Sequence, residues 1–253
     1  MRNIKLTISY DGSAFSGYEL QPGERTIRGE IEKALKKLFK HKISIVSSSR
    51  TDAGVHALQN VVNFKTDKTI PLDRLPAALN SILPDDLRIL KAEEKGVSFN
   101  ARFDAKSKEY EYLIYNGEVL PPVLRNLTWH IKPKLDLFDI RKAATFLAGK
   151  HDFSSFCAAG GDDKNFVRMI HSFDICHLTF VIWGSHKVKV IRIKVKGSGF
   201  LYKMVRNMVG TLVDVGLGKV RPEDVKTILK AKNRRLAGRT APAQGLCLTK
   251  VLY

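Results

Sequence analysis

The segment Ser47-Ser48-Ser49-Arg50-Thr51-Asp52-Ala53-Gly54-Val55-His56-Ala57 concentrates polar side chains between two short apolar runs. Loops held by flanking strands are common locations for catalysis. Asp52 has a cation two residues before it, and a nearby guanidinium keeps a carboxylate ionised at neutral pH. An ionised carboxylate can act as nucleophile or general base. The same residues also spell a plain turn, in which Asp and Gly supply local hydrogen bonds and unusual backbone angles. On residue types alone the turn reading outweighs the catalytic one. For His56, a hydrogen-bonded structural ring outweighs acid–base work in the same way.

Charge sets the class of partner. The 253 residues hold 43 Lys and Arg against 25 Asp and Glu, a net charge of +18. Hydrophobic residues make up 44%, which supports a folded core and excludes intrinsic disorder. A basic chain of this kind points to a polyanion, and nucleic acid is the commonest soluble one. Two acid-free runs carry much of the charge: Lys187, Lys189, Arg192, Lys194, Lys196, Lys203 and Arg206, then Lys226, Lys230, Lys232, Arg234, Arg235 and Arg239. Spacing two places Arg192, Lys194 and Lys196 on one strand face, where they either hold phosphates or protect a sheet edge. No apolar stretch approaches the ~20 residues of a membrane-spanning helix, and the N-terminus lacks the apolar run of a signal peptide. Cys157, Cys176 and Cys247 form no metal-ligand spacing, so no metal site is expected and a reducing cytoplasm fits.

The elements that must position these groups alternate in kind. Ile4, Leu6, Ile8 and Tyr10 predict a half-buried strand ended by Asp11-Gly12-Ser13. Thr26 predicts the N-cap of a helix with Ile27, Ile31, Ala34, Leu35 and Leu38 on its apolar side. Short strands are expected at 43–46 and 61–64, a helix at 72–83, and strands at 87–92 and 110–115. A helix at 136–147 ended by Gly149, strands at 169–183 and 188–195 joined by a turn at Gly184-Ser185, a helix at 201–215, a last helix at about 222–230 and a closing strand at 246–252 complete the chain. Strict βα alternation is absent, so a doubly wound parallel sheet is disfavoured. The reading is α+β: two ferredoxin-like halves, 1–103 and 104–253, sharing a central, largely antiparallel sheet that can leave one face for a ligand.

Five stretches, in order, carry a family likeness. Arg50-Thr51-Asp52-Ala53-Gly54-Val55-His56 resembles the signature of tRNA pseudouridine synthase A. Tyr10-Asp11-Gly12-Ser13 resembles that family's opening turn. Phe99-Asn100-Ala101-Arg102-Phe103, followed by Lys108-Glu109-Tyr110-Glu111-Tyr112, resembles its middle motif. Phe200 with Met204-Val205-Arg206-Asn207-Met208-Val209-Gly210 resembles the late motif, and Thr240-Ala241-Pro242-Ala243 with Gly245-Leu246 the C-terminal one.

The resemblance implies a cofactor-independent isomerase that turns uridine into pseudouridine at positions 38–40 of the tRNA anticodon stem–loop. It implies that Asp52 is the nucleophile, that Tyr110 packs against a flipped base, and that Arg206 pairs with the aspartate. It also implies a homodimer. Arg50, Thr51, Tyr110, Arg102 and Lys203 are the expected substrate contacts. Read without the resemblance, Tyr110 and Tyr112 are a core aromatic pair, and Arg206 is as much a surface residue lying along apolar neighbours. Gly197-Ser198-Gly199 reads as a turn rather than a phosphate loop. Three stretches depart from the family pattern: Ser48-Ser49 where small residues including Gly are usual, Phe15-Ser16-Gly17-Tyr18-Glu19 in place of a Trp-containing run, and Cys247 where Tyr is frequent. A non-catalytic RNA-binding protein is the runner-up, and a ribosome-associated protein has charge alone in its favour.

Overall fold

The computed structural model describes residues 1–161, 163–182, 184 and 186–253. Its strands are β1 (Arg2–Tyr10), β2 (Val46–Ser47), β3 (His56–Thr66), β4 (Leu87–Lys95), β5 (Ser107–Asn116), β6 (Trp129–Ile131), β7 (Gly149–Asp152), β8 (Val167–Ile182), β9 (His186–Gly197) and β10 (Leu246–Leu252). Its helices are α1 (Ile27–Phe39), α2 (Leu75–Asn80), α3 (Leu137–Thr145), α4 (Met204–Gly216) and α5 (Asp224–Ala231). The turn expected at Gly184-Ser185 and the strand end at Trp183 lie partly outside the described residues. The chain divides into two compact units, Met1–Lys106 with Cys247–Tyr253, and Ser107–Leu246. The sequence predicts a second half that runs to residue 253. The structure returns the last strand to the first unit, because β10 pairs in parallel with the start of β3, Cys247 opposite His56.

In the first unit the strand order is β4-β1-β3-β10, with β2 also on β3. β1 is antiparallel to both β3 and β4. The alternation of β1 holds: Ile4, Leu6, Ile8 and Tyr10 are all buried. α1 covers that face, since its Phe39 meets Phe64 edge-on at 5.7 Å and Phe64 lies opposite Ile4. Thr26 caps α1 as expected, accepting the Gly29 N–H at 3.2 Å. The predicted strand at 43–46 shrinks to Val46–Ser47, and α2 is shorter than 72–83: residues 72–74 form a turn, and the helix holds Pro76 in its first turn, where the missing N–H is tolerated.

The second unit has the order β5-β9-β8-β7, all antiparallel, with β6 parallel to β5. β9 changes its buried side midway. Val188 and Val190 face a small core of Leu124 with Leu113, Tyr115, Leu120 and Leu178, whereas Ile191, Ile193 and Val195 are buried on the other side. Gly149 opens β7 rather than ending a helix, and α3 stops at Thr145. α4 begins at Met204, three residues later than expected, because Lys203 takes a left-handed conformation (φ 56°). α4 is buried almost all round, including Asn207 and Thr211. The α+β class and the largely antiparallel pairing expected from the sequence are those of the structure. Among the described residues, no helix is long and apolar enough to cross a membrane.

Gly210 shows how tightly α4 is held. A Cβ there would fall 1.7 Å from the Arg239 carbonyl oxygen. Alanine is intrinsically the better helix former, by about 1 kcal/mol. The clash outweighs that gain, so Gly210→Ala is expected to lower stability by about 2 kcal/mol, read as a drop in the thermal midpoint. A variant as stable as the wild type would refute the packing argument.

Candidate active site

The Arg50–His56 loop is clamped from two sides by backbone. Val55 N donates to Asp52 O at 3.1 Å and Gly54 has φ 78°, so Asp52 opens a β-turn whose third residue requires positive φ. The turn reading of this segment is therefore correct as local structure, and it fixes the backbone on which Asp52 stands. On one side the turn after β1 presses in: a Cβ on Gly12 would lie 2.0 Å from Val55 O. On the other, Gly17 (φ 104°) lies against Thr51 O and Ala53 N, and Tyr18 N donates to Thr51 O at 3.0 Å. Only glycine fits at 12 and 17.

Side chains brace the loop from beneath. The pairing of β1 with β3 shifts register between Ile8 and Tyr10, which sets Tyr10 opposite Ala57. Tyr10 Oη then lies 2.8 Å from Thr51 Oγ1 and accepts from Asn60 Nδ2 at 3.2 Å. Asn60 also donates to Ser49 O at 3.1 Å, and its Oδ1 accepts from Ser48 Oγ and the Val61 N–H, both at 2.8 Å. Asn60 is completely buried, so each of these bonds matters more than it would in water. His56 is buried and structural: its Nδ1 lies 3.1 Å from both Gly12 N and Asp11 Oδ1. The Gly12 N–H donates to this nitrogen. Burial raises the Asp11 pKa, but hydrogen bonds from Ser13 and the proximity of His56 outweigh it and hold the carboxyl below its usual range.

The seven residues expected from the sequence divide between the units. In the first, Arg50 and Arg102 are exposed, Asp52 is half-buried, and Thr51 is buried with its hydroxyl turned inward to Tyr10. Thr51 thus holds the loop rather than offering its hydroxyl outward. In the second unit, Tyr110 is buried on β5 and meets Phe200 edge-on at 5.1 Å. Arg206 lies in the first turn of α4. Its Nε donates to Ala241 O at 2.7 Å, and Ala241 N returns a bond to Arg206 O at 3.1 Å. Lys203 is half-buried, with Nζ 4.9 Å from the Tyr202 ring. Tyr112 is core: its hydroxyl donates to Pro242 O at 2.7 Å, and burial pushes its pKa well up. The sequence marks Tyr10 and Ser48 only as parts of their motifs and does not single out Asn60, so the brace itself is not read from it. A buried asparagine in a strand was the available signal.

The acid-free charge runs look different in space. Lys194 pairs with Glu109 at 2.8 Å, Lys196 with the same carboxylate at 3.6 Å, and Arg192 with Asp174. The acids come from β5 and β8, so the stripe Arg192, Lys194, Lys196 is neutralised across the sheet and is not the open phosphate surface that spacing two allowed. In the second run Arg234 turns inward. Its guanidinium donates to Asn207 Oδ1, Thr240 Oγ1 and Gly238 O at 2.9–3.1 Å, and burial lowers its pKa. Lys232 pairs with Asp152 at 2.9 Å. With His151, Lys226 and Lys230 it lines a cleft of about 440 Å³ where α3 and α5 end. Helix C-termini carry partial negative charge, so Lys230, in the last turn of α5, lies where a cation is favoured. Among the described residues no cluster of His, Cys, Asp and Glu is placed to hold a metal.

The brace makes a paired test. Asn60→Ala strands several buried partners and is expected to cost about 2 kcal/mol. Ser49 Oγ is buried without a partner, so Ser49→Ala is expected to be neutral or stabilising by about 1 kcal/mol. Chemical denaturation of both variants checks the pair, and equal losses would contradict the assigned network.

The profile of a family described as tRNA pseudouridine synthase matches residues 6–104 and 143–253. A protein named tRNA pseudouridine synthase A from Caldicellulosiruptor saccharolyticus is 44% identical over 253 residues, covering all of both chains. One of the same name from Bacillus subtilis is 46% identical over 252 residues, covering 99% of this chain and 98% of its own. A third, from Acetivibrio thermocellus, is 43% identical over 253 residues, again covering all of both chains. The matched residues include the clamped Arg50–His56 loop in the first block and α4 with Arg206 in the second, whereas β5 with Tyr110 lies between the two blocks; together with the full-length identities they show that the chain belongs to the tRNA pseudouridine synthase family.

Proposed function

We propose that the protein isomerises uridine to pseudouridine in the anticodon stem–loop of tRNA, at positions 38–40, with Asp52 as the nucleophile. The observation that carries this reading is the Asp52 loop. Its backbone is locked by glycine contacts at 12 and 17, its underside is braced by Asn60, and its carboxylate-bearing residue stays half-exposed. A nucleophile held on a fixed backbone loses little freedom on reaching the transition state.

The net reaction needs no oxidant or reductant. The glycosidic N1–C1′ bond breaks and a C5–C1′ bond forms. One proton leaves C5 and one is taken by N1. A carboxylate can carry the intermediate stage as a covalent adduct, which divides one hard displacement into two easier ones. The target base must leave the helical stack, and Tyr110 is assigned the aromatic surface against it. Arg206 is assigned the positive charge that favours the ionised carboxylate over the neutral acid. The bond from its Nε to the Ala241 carbonyl fixes its direction. Arg50, Arg102 and Lys203 are assigned contacts to the RNA, and Thr51 serves the same reaction by holding the loop. No cofactor enters this scheme.

The charge of +18 supports tRNA as the partner, through phosphate contact and counterion release. Cys157, Cys176 and Cys247 form no disulfide with one another, which fits a reducing cytoplasm. A homodimer is part of the same reading, and sedimentation at micromolar concentration measures it.

The test is to map pseudouridine chemically in unmodified tRNA transcripts after incubation with the protein. Product in the anticodon stem–loop is expected. None on any transcript would favour a non-catalytic RNA-binding protein. Asp52→Ala is expected to abolish product yet retain tRNA binding, because phosphate contacts dominate affinity. An active Asp52→Ala protein would remove the nucleophile assignment alone. Lys194→Ala, whose charge is spent on Glu109, is expected to change tRNA affinity less than about twofold.

A further inference from the structure

The loop joining β4 to β5 holds an aromatic side chain out in water with unusual firmness. Phe103 is 76% exposed, although the turn beneath it is tied down at every residue. Asn100 Oδ1 accepts the N–H groups of Arg102 and Phe103 at 2.9 and 3.2 Å. Asp104 closes the turn, with its N donating to Asn100 O at 3.0 Å and its Oδ2 accepting from Asn100 N at 2.9 Å. Ala101 is completely buried between Asn63, which accepts its N–H at 2.9 Å, and Tyr253, whose hydroxyl donates to its carbonyl at 2.8 Å. Asn3 and Asn63, both buried, donate to Phe99 O at 2.8 and 3.3 Å.

Two buried asparagines and the C-terminal tyrosine therefore anchor a turn that displays two side chains, Arg102 and Phe103. The Arg102 guanidinium lies 5.5 Å from the Phe103 ring. A large apolar ring fixed in water forfeits the stabilisation that burial would bring. A packing residue gains by turning inward, and this backbone prevents it. A rigid ring beside a guanidinium is the chemistry by which proteins stack unpaired bases and hold the adjoining phosphate. The net charge of +18 makes RNA the partner that fits it.

We propose that Phe103, with Arg102 beside it, is a stacking platform for an unpaired nucleobase of the bound tRNA other than the target uridine. The separation supports a different base. Asn63, which anchors the turn, is seven residues along β3 from His56, roughly 23 Å at the rise of an extended strand. The proposal rests on the tRNA reading and adds to it a second contact that reads single-stranded RNA.

The experiment compares Phe103→Ala, Phe103→Leu and Phe103→Trp for binding of an unmodified tRNA transcript and for sedimentation. Phe103→Ala and Phe103→Leu are expected to weaken binding at least fivefold, the low end of a single base stack. Phe103→Trp, which can still stack, is expected to stay within twofold of the wild type. Leu90→Ala removes another exposed apolar side chain of the same unit and should leave affinity alone. The slope of log affinity against log salt should hold for Phe103→Ala and shrink by about one for Arg102→Ala. Phe103→Leu binding as well as the wild type would overturn the proposal, because leucine covers area but cannot stack. So would a Phe103→Ala protein that binds tRNA normally but no longer self-associates, which would make the ring a contact between copies. A wild-type protein that neither binds nor modifies tRNA would fail the functional reading itself. An active wild type with an unaffected Phe103→Ala fails this proposal alone.

Discussion

The contact on which the site depends is between backbones: Gly12 packed so closely on the Val55 carbonyl that no side chain fits between them. It joins the turn after β1 to the turn that carries Asp52. Gly17 repeats the device from the other side, and Tyr10, Asn60 and Ser48 fill the space below with hydrogen bonds. A carboxylate on an ordinary turn is a hydrogen-bond acceptor for its neighbours. A carboxylate on a turn that cannot shift is a preorganised reagent, because the cost of orienting it is met during folding. The register shift in β1 belongs to the same arrangement, since it places Tyr10 under Thr51.

The positive charge obeys a similar division between what is local and what is assembled. Along the chain, 187–206 contains no acid. Across the sheet, Glu109, Glu111 and Asp174 stand beside its cations and compensate Arg192, Lys194 and Lys196. Arg234 is taken into the loop packed on α4. A net charge therefore overstates the surface open to phosphate, and the cations that remain exposed are the ones to weigh for RNA contact. Arg50 and Arg102, both exposed, lie in the first unit with the Asp52 loop.

These cases also mark what could be read from the sequence. The period-two burial of β1 and the Thr26 cap were legible, because each depends on neighbours within a few residues. The Asp52 loop was legible through its motif, and its turn through Asp and Gly. What escaped depends on partners distant in sequence. The pairing of β10 with β3 joins Cys247 to His56 and reassigns the last strand to the first unit. The inward turn of Thr51 follows from Tyr10, and the neutralised stripe follows from strand register. The late start of α4 turns on one left-handed residue, Lys203, where neither glycine nor asparagine gave warning.

The central claim is that catalysis depends on the backbone clamp that fixes Asp52. Single-turnover pseudouridine formation by Gly12→Ala, at a temperature where the variant is still folded, tests it most directly. The added methyl must push the Asp52 turn away from β1, so the rate is expected to fall at least a hundredfold while tRNA affinity changes little. A folded Gly12→Ala protein that converts uridine at the wild-type rate would contradict the account.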